Sequence, residues 1–218
     1  MNKTTKAEAL LVLLDSIEGE TILTTNILHG ILHRHAEQAI EENNKGILRI
    51  LLCNDSENTA IKTVLHNEMM GEKHIYPSVY EELANTLSDT AQRIEKYADF
   101  IANAPDDDTP ESDEERELKV SIHQTVRKNI DRNSKNTERF EKMYELDRKL
   151  CTCRKSHAID IVKCDPSFRF RYDANAFRKH YYNGSVFDGN MDYNKFVAAL
   201  RKLSSDILRH ANSIKDAQ

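Results

Sequence analysis

The chain has 218 residues, 39% of them apolar and 31% charged, and a formal net charge of −5. That is long enough for a core of one or two domains and too apolar for wholesale disorder. No stretch approaches the roughly 18 apolar residues of a membrane span, and six Gly, four Pro and no Trp argue against a turn-rich β protein.

The charge is unevenly placed. Residues 1–117 hold 10 Lys+Arg against 24 Asp+Glu, or −14, whereas residues 118–218 hold 21 against 12, or +9. A basic half can serve an anionic partner, or it can simply attract the acidic half. The chain is expected to be intracellular and cytoplasmic. Asp15, Glu18 and Glu20 follow the first apolar run where a secretory signal would carry a small-residue cleavage site. The four Cys, three of them packed into 14 residues, do not read as a disulfide framework.

The elements predicted in chain order are helical. Thr5-Lys6-Ala7-Glu8 is a capping box opening a helix to about Glu18, with Ala9, Leu10, Leu13, Leu14 and Ile17 on one face and Gly19 as its end. Thr24 or Thr25 opens a second helix to about Glu42, and Asn43-Asn44-Lys45-Gly46 stops it. Ile47–Cys53 is a short apolar piece. Asn54-Asp55-Ser56 caps a helix to about Met70, closed by Gly71. Pro77 opens another to about Asn103, with Val79, Leu83, Leu87, Ile94, Tyr97, Phe100 and Ile101 as its stripe.

Ala104 to Glu111 carries two Pro among consecutive acids and reads as a solvated linker. Ser112-Asp113-Glu114-Glu115 then starts a long helix reaching about Cys153, a single helix being preferred over an antiparallel pair broken near Asn133-Ser134; as one helix its roughly 40 residues would span about 60 Å. Ile159–Val162 suggests a minor strand, Ala174–Tyr182 a short helix, and Met191–Ile214 a final helix with Phe196, Val197, Leu200, Leu203, Ile207 and Leu208 inward. The expected fold is all-α (mainly α), in four parts. These are an acidic helical bundle (1–104), an acidic linker and helix start (105–117), a long helix (118–155) and a basic C-terminal helical unit (156–218).

Several clusters are candidates for chemistry. Cys151, Cys153, His157 and Cys164 offer zinc its preferred soft ligands within 14 residues, although the first gap is tighter than usual. Zinc is the one cofactor the chain suggests. His29, His33, Glu37 and Glu41 stack at fourfold spacing, a metal-site pattern or a solvated helix face. Phe168, Arg169, Phe170, Arg171 and Tyr172, followed by Phe177, Arg178 and Lys179, alternate aromatic and basic groups that can stack on bases and meet phosphates, or form a small core with a basic exterior. Asp188-Gly189-Asn190 echoes a calcium loop, but Gly184, Val186 and Lys195 fall where ligands belong, so a turn and helix cap is expected. No nucleophile elbow, phosphate loop or zincin motif occurs.

The expected function is a non-enzymatic helical interaction or regulatory protein acting on a protein partner or on a second copy. The alternative is a nucleic-acid-binding regulator using the basic half. A third reading is a metal-dependent bundle enzyme at His29 and His33.

Overall fold

The computed structural model describes residues 4–23, 25–53, 58–110, 113, 116–117, 154–163, 177–183 and 191–218. Every regular element among them is a helix, so the chain is all-α. They are α1 (Lys6–Leu14), α2 (Ile17–Thr21), α3 (Thr25–Arg34), α4 (Ala36–Glu41), α5 (Lys45–Leu52), α6 (Thr59–Met69), α7 (Pro77–Asn103), α8 (Lys155–Lys163), a single π-helical turn (Arg178–Tyr182) and α9 (Tyr193–Asp216). The expected long helix falls outside the described residues, apart from Asp113, Arg116 and Glu117 at its start.

Two compact units emerge: Met1–Gln92 with Lys202–Gln218, and Arg93–Arg201. The first is built from α1 to α6, the first part of α7 and the last part of α9. Its core holds Leu10, Leu13, Leu28, Ile31, Leu32, Ile47, Ile50, Ile61, Leu65, Leu83, Leu203 and Ile207, all buried. Each such side chain removed from water contributes about 1.5–3 kcal/mol. Helix starts follow local chemistry. Thr5 and Glu8 form the predicted capping box, each accepting from the other's amide.

The first helix stops earlier than its apolar pattern suggests. Ser16 adopts extended backbone, accepts from the Gly19 amide and donates to the Leu13 carbonyl at 2.6 Å. That local bond ends α1 and caps α2. Gly19 therefore lies inside α2, where a Cβ would fall 2.2 Å from the Leu13 carbonyl oxygen. The predicted second helix is likewise two, α3 and α4, parted at His35.

The second unit's core combines the end of α7, α8 and the start of α9. Ile94, Tyr97, Ala98, Ile101, Ala158, Ile159, Val162, Phe196 and Leu200 are buried there. Phe196 meets Phe177 and Tyr182 edge-on, at 5.7 and 5.2 Å between ring centres. Residues Ile159–Val162 are helical rather than a strand. Ala158, Ile159 and Val162 fall on one helical face, and β-branching alone does not override that spacing. Leu208, expected inward, is 39% exposed because it lies beside, not on, the Leu203–Ile207–Ile214 face.

Two acids of the predicted linker anchor α8. Asp107 accepts from the Ser156 amide at 3.1 Å, from the Ser156 hydroxyl at 2.8 Å and from the Tyr193 hydroxyl. Asp106 pairs with Lys155 at 2.5 Å, and the Pro105 carbonyl accepts the Lys155 amide. Both acids remain exposed, as a solvated segment should be.

Candidate functional site

The site begins with two turns. α4 ends in a Schellman arrangement: Asn43 takes a left-handed conformation, φ 50°, its amide donates to Ile40, and the Asn44 amide donates to Ala39. Asn44 then caps α5 by accepting from the Ile47 amide at 3.1 Å. α6 ends in the same way. Gly71, at φ 101°, donates to Glu68, and the Glu72 amide donates to Asn67. The chain then turns through Lys73 to Tyr76 and enters α7 at Pro77.

Residues 72–76 are fixed by side chains from outside the turn. The Glu68 carboxylate accepts from the His74 amide at 2.8 Å, from the Ile75 amide, and from the Tyr80 hydroxyl at 2.5 Å. The Asn44 amide group donates to the His74 carbonyl at 2.5 Å. Gly46 admits the His74 ring: a Cβ on Gly46 would lie 2.3 Å from His74 Cβ. The Tyr76 hydroxyl donates to Glu42 at 2.8 Å, and Gln38 donates to the other Glu42 oxygen at 3.0 Å.

Glu42, Asn44, Glu68, Tyr80 and residues 73–77 wall an open cleft of about 690 Å³ in the first unit, completed by Lys6, Lys45 and Gln218. Burial pushes the Tyr80 hydroxyl far above its ordinary value, and the bond to Glu68 and its charge add to this. Burial and Glu42 raise Tyr76 as well. Bonds from Gln38 and Tyr76 hold Glu42 below the ordinary carboxylate value.

Elsewhere in this unit, His210 Nε2 lies 3.4 Å from Glu18 Oε2, both side chains being buried. Among the described residues, that nitrogen has no hydrogen-bond partner. Arg34 and His35 both face Glu82, His35 at 3.5 Å, and the His35 ring lies 5.9 Å from that of Tyr76.

The sequence-predicted sites fare differently. Cys151, Cys153, Cys164, Phe168, Arg169, Phe170, Arg171 and Tyr172 lie outside the described residues, as does the Asp188–Asn190 turn. His157 is placed on α8 and Arg178 in the π-helical turn by their backbones, and Lys179 is exposed in that same turn. Phe177 and Tyr182 join the core of the second unit.

His29 and His33 are neighbours on α3, 6.5 Å between ring centres, and Glu37 and Glu41 continue on α4 beyond the break. Burial, and then the charge of His33, hold His29 below the ordinary histidine value. Among the described residues, no group of three or more His, Cys, Asp or Glu side chains is placed to hold a metal. Nor is any described helix long and apolar enough to cross a membrane.

The cleft has no signature in the sequence. Asn43-Asn44-Lys45-Gly46 and Gly71 were legible as turns, but nothing in the sequence places Glu68 beneath residues 74 and 75. No family model matches the chain, and no curated protein or solved structure does so either.

Proposed function

We propose that this chain is a non-enzymatic helical interaction protein that associates with a second copy of itself through apolar side chains of its first unit. The observation that carries this reading is the exposure of large apolar residues on well-formed helix ends. Leu52 at the end of α5 is 85% exposed and Met70 at the end of α6 is 86% exposed. Val12 and Ile40 add to them from α1 and α4. Met69 and Met70 are adjacent and flexible, and methionine adapts to a partner's relief better than branched side chains do. Burying each of these against another protein contributes about 1.5–3 kcal/mol.

The cleft's carboxylates and tyrosine hydroxyls are held in structural hydrogen bonds, which favours a binding role over acid–base chemistry by those groups. Glu68 holds two backbone amides and the Tyr80 hydroxyl, and Glu42 is engaged by Tyr76 and Gln38. A general acid or base needs a group free to reach substrate.

Sedimentation velocity across a concentration series tests the proposal. The wild-type chain should move from monomer to dimer in the micromolar range. Leu52→Glu and Met70→Glu, at positions exposed enough to leave folding within about 0.5 kcal/mol, should hold it monomeric. A wild type that stays monomeric throughout, or a dimer indifferent to both substitutions, would remove the support for this reading.

A further inference from the structure

We propose that the cleft of the first unit binds a small organic phosphate, its anionic head on Lys6, Lys45 and Lys73 and its apolar body against Tyr76 and Pro77. The cleft's volume, about 690 Å³, falls within the range of small-molecule sites. Three segments distant in sequence supply the three lysines: the start of α1, the start of α5 and the turn after α6. Among the described residues, none of the three has an ion-pair partner.

The acids in the same wall are already engaged. Glu68 takes two backbone amides and a hydroxyl, and Glu42 takes a hydroxyl and an amide group. Neither carboxylate pairs with a cleft lysine, so the three ammonium groups keep their donors for something that enters the cleft.

Lys6 and Lys45 also break a local rule. Each is the first residue of its helix, where the aligned backbone dipoles disfavour a cation. A sequence that sets two cations against that field, both facing one cleft, gains by admitting an anion, and such local conflicts mark functional positions. The wall is preformed. Glu68, Asn44 and the missing Cβ at Gly46 hold the Lys73-bearing turn before any ligand arrives. Little ordering cost then falls on binding. Tyr76 and Pro77 give the site an apolar side that a bare inorganic anion would not use.

The test is calorimetric titration of the full chain at low salt with AMP, UMP, glucose 6-phosphate and inorganic pyrophosphate. At least one organic phosphate should bind one-to-one with a dissociation constant on the order of 100 μM or tighter, and at least about tenfold more tightly than pyrophosphate. Lys45→Ala with Lys73→Ala removes two exposed side chains, and an unchanged melting temperature would show that folding is kept. This double variant should weaken that binding at least about tenfold, the scale of losing charged hydrogen bonds to a phosphate. Absence of binding by all three organic phosphates would overturn the proposal. So would affinity unchanged in the double variant, and so would pyrophosphate binding as tightly as the organic phosphates, which would reduce the site to a charge cluster.

Discussion

Glu68 in the first unit and Asp107 in the second have almost the same partners. Each carboxylate accepts backbone amide hydrogen and a tyrosine hydroxyl, and each fastens a segment the chain reaches only after a turn or a long excursion. They differ in surroundings. Glu68 is half-buried against Tyr80, itself only 4% exposed, whereas Asp107 stands at the surface. Hydrogen bonds exchanged with water are worth little net, but a buried donor left unmade carries its full desolvation cost. The same donor set should therefore be a structural necessity in one unit and an adjustable fastening in the other.

The sharpest way to break that contrast is Glu68→Ala. It strands two amides and a buried hydroxyl and should cost about 3 kcal/mol, read as a fall in urea midpoint. A loss no larger than that at Asp107 would erase the distinction. Next comes Gly46→Ala, which leaves Glu68 in place but drives a methyl into His74 Cβ, an atom next to the backbone that cannot swing away. Overpacking of this kind costs about 2 kcal/mol, and it should speed hydrogen exchange at the His74 and Ile75 amides.

Tyr80→Phe removes one donor and keeps the ring, at about 1 kcal/mol. It also has a pH signature. The Tyr80 hydroxyl is raised from its ordinary 10.0 in the folded chain, so folding holds its proton while the unfolded chain releases it. Stability from this group is complete below pH 10.0 and declines as pH rises beyond that value. The phenylalanine variant should lose that decline, as melting curves between neutral and alkaline pH would record.

The smallest effect belongs to Asp107→Ala, about 1 kcal/mol as for a lost helix cap. Burial alone would raise the Asp107 carboxyl, but Tyr193, the Ser156 amide and hydroxyl, and the Arg154 charge outweigh it and hold it below the ordinary 3.8. Its contribution is thus present above pH 3.8 and is lost as the pH falls below that. Exchange at the Ser156 amide should quicken in that acid range in the wild type and be fast at all pH in the variant.

What the sequence disclosed was local. The Thr5–Glu8 box, the Asn43 and Gly71 turns, Pro77 at a helix start and the apolar stripe of α7 all act within one or two turns of helix, so their signals sit in adjacent letters. Ser16 shows where that stops working. Its hydroxyl breaks an apolar run that by periodicity alone continues to Ile17. Gly46 reads as a helix stop, yet its reason is a histidine 28 positions on. Glu68, Asp107 and the Glu18–His210 pair depend on segments brought together only by folding, and one carboxylate in a chain with 36 acids carries no mark of which amides it will meet. The charge split was legible too, but it describes composition; the three cleft lysines all lie in the acidic half.

The reading of this chain as a self-associating helical protein is tested most directly by hydrogen exchange of the full chain at a low and a high concentration. Exchange should be slower at high concentration around Leu52 and around Met69–Met70, with residues 105–108 and 154–158 unchanged. Identical exchange at both concentrations, or slowing confined to the second unit, would contradict it.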